Sequence, residues 1–538
     1  MAENVGATGT IEKIEAEAVN SKEKRELYAA RKKIFPKRAY GTFRSLKWWV
    51  MGITLGIYYL TPWLRWDRGE FAPDQAVLID LANRRFYFFF IEIWPQEFYY
   101  VAGLLVMAGI GLFLVTSTVG RAWCGYACPQ TVWVDLFLVV ERFFEGDRNA
   151  RIKLDKAPWS RDKIFKRVAK HAVWLFIAFS TGGAWIFYFA DAPTLLVDFW
   201  TLNLPFVAYG TVAVLTFMTY TFGGFMREQV CTYMCPWPRI QAAMLDEDSL
   251  TVTYNDWRGE PRNRHAKRAI AAGDIVGDCV DCNACVAVCP MGIDIREGQQ
   301  LECITCALCI DACDGVMQKL GREHGLISYA TLRDYNENLA LATGGTSDPA
   351  DIKPISMINI VDMASKKKTK IAPVEPDVRV DKVAHTTLRS LARPRTMVYT
   401  AVLMSIAFGM LAVLVTRSRL EINVLHDRNP VFVKLSDGSI RNGYVIKVLN
   451  MIARPRKFDV KVEGLKGAEI SFAGSTEKMG DSFTMNVAPD QLQSTKIFLS
   501  VPKDLIDKAH SNFNFVVNEI DGEERSSYIA KFEAPKGK

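Results

Sequence analysis

The spacing of its cysteines restricts this chain more than any other feature of the sequence. Three thiolates, each separated from the next by two other residues, can surround one iron–sulfur cubane. A fourth, after three further residues, reaches a neighbouring cluster. Two consecutive runs have this spacing, Cys279, Cys282, Cys285 and Cys289, then Cys303, Cys306, Cys309 and Cys313. The sequence therefore predicts a ferredoxin-like segment that folds around two [4Fe–4S] clusters.

The predicted ligand sets cross between the two runs. One cluster would use Cys279, Cys282, Cys285 and Cys313, and the other Cys303, Cys306, Cys309 and Cys289. A pair of zinc sites is the alternative, but zinc sites usually separate their cysteine pairs differently. The second run ends in Cys313-Asp314 without the proline that follows Cys289, and the two runs are close together. Neither departure removes a ligand.

A second cysteine pattern occurs twice, as Cys124-Gly-Tyr-Ala-Cys128-Pro and Cys231-Thr-Tyr-Met-Cys235-Pro. Each copy follows a long apolar segment, so the two form an internal repeat whose thiols we expect to converge at one membrane surface. The thioether of Met234 would lie nearby. Converging soft sulfur ligands select Cu(I), and paired thiols can also exchange electrons as dithiol and disulfide.

Four interpretations of these paired motifs stay open from the residues alone. We favour a copper-handling or redox-active sulfur site, because the predicted clusters beside it would relay electrons. The others are a third metal cluster or a zinc site, a quinone or flavin pocket, and buried structural thiols.

Long apolar segments predict an integral membrane protein. Uncharged stretches of this length are typical of helices that cross a bilayer, and buried helices of a large soluble protein are the alternative. We predict about five spans, near residues 48–64, 86–119, 171–190, 204–225 and 397–416. Glu92 precedes Pro95 in the second of these segments, and we expect it at the outer interface.

The distribution of basic residues predicts the orientation. Lys and Arg are concentrated in the N-terminal arm and in residues 148–170, whereas the loop after the third span contains Asp191 and Asp198 but no basic residue. The positive-inside rule then places the N-terminus and the ferredoxin-like segment in the cytoplasm and the C-terminal tail outside. The net charge of +7 is modest, and basic residues are not interleaved with stacking aromatics, so no nucleic-acid partner is expected.

The tail after Arg417 has the pattern of an all-β domain. Short apolar runs alternate with turn residues such as Asp437-Gly438 and Asp521-Gly522. About seven strands with such turns predict an immunoglobulin-like sandwich, here without cysteines for an inter-sheet disulfide. The predicted strands are 432–435, 440–448, 458–462, 470–472, 482–487, 495–501, 513–517 and 527–532.

Taken together, the chain is predicted to be a multi-domain membrane protein with an α-helical transmembrane bundle, a two-cluster ferredoxin-like insert and a C-terminal all-β sandwich. The predicted parts are a basic cytoplasmic arm (1–47), a four-helix membrane domain with the paired motifs (48–225), the cytoplasmic cluster segment (226–342), a flexible linker (343–396), a fifth transmembrane helix (397–416) and an outer immunoglobulin-like domain (417–538).

On these motifs the chain resembles the CcoG/FixG/RdxA family of cytochrome c oxidase accessory proteins. The resemblance rests on residues 121–129 and 231–236, the double cysteine run, and the tail that opens with residues 424–430. The membrane part alone is also similar to NapH- and NosR-type electron-transfer subunits, which lack this tail.

The resemblance implies that the protein reduces Cu(II) to Cu(I) for assembly of a cbb-type cytochrome oxidase in a bacterial inner membrane. It implies that Cys124, Cys128, Cys231 and Cys235 act at the copper site, with Met234 as a weaker ligand. The implied partners are membrane lipid, oxidase subunits or copper chaperones, and a cytoplasmic electron donor; self-association stays open. The rival functions are a quinol-linked electron carrier and a non-catalytic assembly scaffold.

Overall fold

The computed structural model describes residues 13–19, 21, 32–265, 268–269, 272–273, 276–342, 393–474, 478–506 and 509–535. The predicted linker, except for its last residues 393–396, lies outside the described residues. The chain divides into two compact units. The first comprises Met1–Pro62 and Val101–Ala407, and the second comprises Trp63–Tyr100 and Phe408–Lys538.

The first unit is mainly helical. Its helices are α1 (Thr42–Leu60), α2 (Tyr99–Val119, which begins in the second unit), α3 (Pro129–Glu145), α4 (Arg148–Lys156), α5 (Arg161–Ile186), α6 (Ala192–Thr201), α7 (Phe206–Tyr220), α8 (Trp237–Met244), α9 (Asp256–Gly259), α10 (Ala284–Val288), α11 (Leu308–Leu320), α12 (Leu332–Ala342) and α13 (Pro394–Thr416, which ends in the second unit).

Among the described residues, three helices are long and apolar enough to cross a membrane: Pro95–Val119, Phe206–Met226 and Pro394–Thr416. No more than 11% of their most apolar windows is buried inside the protein, which argues against buried helices of a soluble protein. Helices α1 and α5 occupy the other two predicted spans, but their N-terminal halves carry several Lys and Arg residues. The count of five therefore stays a prediction.

The predicted second span begins too early. Residues Arg85–Phe88 and Ile91–Ile93 are β-strands, and α2 begins only at Tyr99. The apolar run predicts one helix, but Pro95 limits any helix to the residues after it, and the aromatic residues before it favour strands.

Buried ion pairs fix the ends of the helices that carry the Cys-Pro motifs. Glu141 of α3 forms ion pairs with Arg151 at 2.7 Å and with Arg227, which follows α7, at 2.8 Å. Glu145, one turn on, pairs with Lys170 of α5 at 2.9 Å. Because breaking a buried pair leaves an uncompensated charge, this network specifies how the chain leaves α7 toward the second motif.

The cluster segment is attached to the N-terminus of α1. Strand β4 (Thr251–Tyr254) pairs with β5 (Ile327–Ala330), and both cysteine runs lie between them in the sequence. Asp311 of α11 accepts hydrogen bonds from the backbone N–H groups of Phe43 at 3.1 Å and Arg44 at 2.7 Å. A carboxylate in this position satisfies otherwise unpaired donors of the first helical turn.

The second unit contains the predicted all-β domain. One sheet has the order β11-β10-β13-β8-β6 with β7 beside β8, and the other has the order β12-β9-β14-β15. The strands are β6 (Leu420–His426), β7 (Val433–Lys434), β8 (Ile440–Asn450), β9 (Arg456–Glu463), β10 (Glu469–Phe472), β11 (Lys478–Met479), β12 (Ser482–Val487), β13 (Leu492–Val501), β14 (His510–Glu519) and β15 (Arg525–Glu533). The sequence missed β6, whose inward residues Leu420, Ile422 and Val424 are buried in the shared core.

The remainder of the second unit is a small antiparallel sheet, in which β1 (Val77–Asp80) pairs with β2 (Arg85–Phe88) and β2 with β3 (Ile91–Ile93). Arg85 lies 3.0 Å from the carboxylate of Asp490 and 3.7 Å from that of Glu92. Burial, then the nearby Asp490, raises the pKa of Glu92 to about 7. Glu92 thus lies on a strand outside the apolar helix that follows it.

Candidate functional site

The eight cysteines of the double run line two separate cavities in the first unit. The cavities have volumes of about 340 and 380 Å³ and are otherwise mostly apolar. The first is lined by Cys279, Cys282, Cys285 and Cys313, and the second by Cys289, Cys303, Cys306 and Cys309, with Cys285 also reaching it. These groupings correspond to the two ligand sets predicted from the spacing.

The backbone around both cavities has the same unusual conformation. Asp281 and Asn283 in the first run have φ values of 48° and 57°, and Thr305 and Ala307 at the equivalent positions of the second run have 56° and 58°. Non-glycine residues seldom adopt this left-handed conformation, and it costs free energy. It forms concave nests of N–H groups, which are found at iron–sulfur sites.

These features fit a cubane better than a single metal ion. Zinc needs four ligands that converge on one point at about 2.0–2.3 Å. Within the described part of the chain, no three His, Cys, Asp or Glu side chains are grouped closely enough to hold a metal ion. Thiols distributed around cavities of this size suit a cluster of several atoms.

Each cavity has a buried arginine beside it. Arg296 lines the first cavity, where it pairs with Asp294 at 2.7 Å and Asp281 at 2.9 Å. Arg121 is 4% exposed and donates a hydrogen bond to the backbone carbonyl of Leu301, two residues before Cys303. Positive charge at these places favours the reduced, more negative state of an adjacent redox centre.

The two Cys-Pro motifs have the same local backbone. Cys124 lies in a π-helical segment (Trp123–Ala127) and Cys231 in another (Val230–Met234). The N–H group of Cys128 donates to the carbonyl of Trp123 at 2.9 Å, and that of Cys235 donates to Val230 at 2.8 Å. Both motifs then turn into a helix at or just after the proline. Single π turns occur frequently at functional sites, so the sequence repeat is also a structural repeat.

The first motif packs directly on the wall of the second cavity. A Cβ atom built on Gly125 would lie 2.6 Å from the carbonyl oxygen of Ile304 and 3.0 Å from Cα of Cys306. The hydroxyl of Tyr126 donates to the carbonyl of Cys306 at 3.2 Å. Cys124 and Cys231 both pack against the apolar cluster that contains Cys306. Cys124 and Cys231 are therefore close to residues that line the second cavity.

Burial raises the pKa of three of the Cys-Pro thiols and so favours their protonated form. It is the largest cause that raises the pKa of Cys124 to about 11 and of Cys231 to about 12, and the neighbouring cysteines raise both further. Burial also raises the pKa of Cys128. The side-chain oxygen of Gln241 accepts a hydrogen bond from the thiol of Cys124 at 2.9 Å, which holds that thiol in place. A cation must displace a proton to bind such sulfur atoms as thiolates.

The structure places the predicted copper ligands unequally. The four cysteines lie within electrostatic range of one another, as their mutual effects on pKa indicate. The side chain of Met234, in contrast, is 52% exposed. Whether these residues bind copper stays a prediction.

Several residues that build this site were not identified from the sequence. Arg121 and Gly125 lie inside the first motif, so a comparison of its two copies could have marked them: Gly125 corresponds to Thr232. Gln241 and Asp311 have no such signal, because each acts on a partner more than a hundred positions away.

Comparison with protein families supports iron–sulfur and immunoglobulin-like domains. Residues 226–332 match a 4Fe-4S dicluster domain, and residues 101–145 match a 4Fe-4S binding domain. Residues 410–535 match the IG-like fold at the C-terminal of FixG.

Two curated relatives are similar over most of their length. The nitrogen fixation protein FixG of Rhizobium meliloti (strain 1021) is 63% identical over 98% of this chain and 97% of its own. Protein RdxA of Cereibacter sphaeroides is 50% identical over 89% of this chain and 91% of its own. A crystal structure of a FixG-related protein from Vibrio parahaemolyticus aligns with 22% of this chain and 99% of its own, at 20% identity and a TM-score of 0.19.

Proposed function

Because this chain belongs to the FixG/RdxA family of iron–sulfur electron-transfer proteins, we propose that it reduces Cu(II) to Cu(I) at its paired Cys-Pro motifs. The reduced copper would serve the assembly of a cbb-type cytochrome oxidase, through oxidase subunits or a copper chaperone. The residues that would bind copper are Cys124, Cys128, Cys231 and Cys235.

One observation carries this proposal: the contact between Gly125 and the Ile304–Cys306 backbone, where a Cβ atom would be only 2.6 Å from the carbonyl of Ile304. When bound, two [4Fe–4S] clusters supply one-electron carriers, held by the two cysteine sets named above. The backbone contact brings the wall of the second cavity against the first motif. No other residue needs to lie between the cysteine loop and Cys124.

The chemistry of the four thiols suits copper as a substrate. Soft sulfur ligands favour Cu(I), and one electron converts one Cu(II) into one Cu(I) without oxidising the thiols. A copper ion would have to displace thiol protons in order to bind these sulfur atoms as thiolates.

We further propose that α1 and α5 join the three apolar helices to give five crossings of the inner membrane. The N-terminus and the cysteine segment would face the cytoplasm, where an unidentified donor supplies electrons, and the β domain would face the periplasm. Labelling of single introduced cysteines with a membrane-impermeant reagent in spheroplasts tests this. A cysteine at exposed Lys166 should stay unlabelled, and one at exposed Lys503 should react.

The central test is the double substitution Cys124→Ser and Cys231→Ser in the full chain. We expect Cu(II) reduction to be abolished while the iron content and cluster absorbance of anaerobically purified protein persist. Thr232→Ser is a matched control within the same motif, since a serine hydroxyl can still donate to the carbonyl of Glu228, as Thr232 does at 2.9 Å. Reductase activity that survives in the double variant would contradict the proposal.

A second candidate is a further iron–sulfur cluster at the Cys-Pro motifs. It is favoured by the match of residues 101–145 to a 4Fe-4S binding domain, because Cys124 and Cys128 are the only cysteines in that range. The same double variant separates the two candidates. A loss of iron relative to the unsubstituted protein would favour the additional cluster, and unchanged iron would favour the copper site.

A further inference from the structure

A separate cavity, partly open to solvent, lies within the first unit, between the basic arm, α1, α3 and the cysteine segment. Val134 and Leu138 of α3 line one side of it, and Met291 and Ile304 line another. Cys231 of the second motif is also part of its wall. None of the functions proposed above uses this cavity.

The cavity wall contains more positive than negative charge. Its charged lining residues are Lys37, Arg44, Lys47, Arg142 and Arg227 against Asp135 and Glu228. Arg227 is already paired with Glu141 at 2.8 Å, outside the cavity. Arg44 pairs with Asp135 at 2.8 Å, and both are almost fully buried, at 6% and 4% exposure. Lys47, 3% exposed, and Arg142 share that same carboxylate.

Two guanidinium nitrogens at this cavity make no hydrogen bond. They are the buried Nη2 of Arg44 and the buried Nε of Arg142, of which the latter lies 3.9 Å from the carboxylate of Asp147. The Arg44 side chain is only 7% exposed, so bulk water does not supply the missing hydrogen-bond acceptor. Burial, then the neighbouring Arg151 and Arg44, lowers the pKa of Arg142 to about 10, which indicates crowded positive charge. Buried, unpaired donors and charges are costly unless a ligand completes them.

We propose that this cavity binds the phosphate group of an anionic amphiphile. The phosphate would lie between Arg44, Lys47 and Arg142, because arginine forks and lysine are the usual phosphate ligands. The apolar part would lie along Val134 and Leu138 and the facing residues of the cysteine segment. An anionic phospholipid and a soluble phosphate compound share this chemistry.

Such a ligand would add to the long-range contacts that already join these four elements, such as those of Arg44 with Asp135 and Asp311. It would hold the basic arm, α1 and α3 against the cysteine segment, and it would close one approach to Cys231. The ligand would therefore stabilise the assembled site without taking part in electron transfer. The proposal does not depend on copper reduction, and its test uses neither copper nor the cluster spectrum.

The test measures ligand binding to the full chain in neutral detergent after delipidation. Thermal unfolding and native mass spectrometry would follow titrations with phosphatidylglycerol, zwitterionic phosphatidylcholine and inorganic phosphate. We expect phosphatidylglycerol to bind and to raise the melting temperature. Arg142→Gln should weaken this binding roughly tenfold, the effect of losing one charged hydrogen bond. Asp135→Asn should strengthen it, because the one carboxylate among these three cations is removed.

Lys166→Gln is the matched control, because Lys166 is a lysine on α5 that pairs with the exposed Asp162 at 2.7 Å and does not line the cavity. Binding of inorganic phosphate as well as phosphatidylglycerol would identify a general phosphate site, and binding of phosphatidylglycerol alone would identify a lipid site. Equal binding by the unsubstituted protein, Arg142→Gln and Asp135→Asn would overturn the proposal. The absence of binding in all three titrations would also overturn it.

Discussion

Replacing Gly125 with alanine tests the contact on which the electron path depends. The added Cβ atom would lie 2.6 Å from the Ile304 carbonyl oxygen, 0.8 Å short of the 3.4 Å at which ordinary van der Waals contact begins. Cα and the backbone nitrogen of Cys306 would lie at 3.0 and 3.1 Å. All three neighbours are backbone atoms, so the first motif and the cysteine loop must move apart. Overpacking of this kind costs about 1–3 kcal/mol.

We expect the Gly125→Ala protein to retain its clusters but to transfer electrons more slowly, because the separation between the cysteine loop and Cys124 increases. The assay is anaerobic stopped-flow mixing of pre-reduced protein with Cu(II), in which cluster reoxidation and chelated Cu(I) are followed together. Thermal unfolding of the same samples gives the loss of stability independently.

Gly109→Ala is the matched control, since Gly109 also lies in a helical segment and a Cβ atom there would meet nothing within 4 Å. It should change neither the rate nor, by more than about 1 kcal/mol, the stability. A Gly125→Ala protein that is destabilised but reoxidises at the unsubstituted rate would refute this contact as the electron path.

Three further predictions follow from charges and caps. Arg121→Gln should lower the reduction potential of the centre in the second cavity, and Arg296→Gln should lower the reduction potential of the centre in the first. Each substitution removes a positive charge that favours reduction. Redox titrations followed by electron paramagnetic resonance measure both potentials, and equal shifts of the two centres would contradict this prediction. Asp311→Ala should lower the stability by about 1 kcal/mol in thermal unfolding, since α1 loses its N-terminal acceptor. The raised pKa of Glu92, from 4.5 to about 7, favours its neutral form in the folded state. The stability it contributes, roughly 3 kcal/mol, is therefore full below pH 4.5 and lost as the pH rises through about 7. Glu92→Gln should flatten the fall in melting temperature that the unsubstituted protein shows over that range.

The parts of this protein that the sequence predicted well are those whose determinants are local. The two cysteine runs have the same short spacing, and Asp281, Asn283, Thr305 and Ala307 give both runs the same left-handed backbone. The crossed ligand sets themselves stay a prediction. The β domain could also be predicted from the sequence, because turn residues and the alternation of apolar and polar residues are patterns that span only a few residues.

What the sequence could not predict depends on distant partners. The capping of α1 by Asp311 and the hydrogen bond from Cys124 to Gln241 join residues far apart in the chain. The strands before α2 were hidden for another reason. Their aromatic and aliphatic residues made the segment resemble the start of a span, although Arg85 and Glu92 pair with partners in a β-rich unit.

The two Cys-Pro motifs share a backbone conformation but differ in their surroundings. Gly125, which allows the first motif to touch the cysteine loop, is replaced by Thr232 at the equivalent place in the second. Cys231 of the second motif packs near Cys306 as well, and it also lines the positively charged cavity. The proposed electron transfer would therefore depend on the close packing of the first motif, whereas the proposed phosphate ligand would lie beside Cys231 of the second.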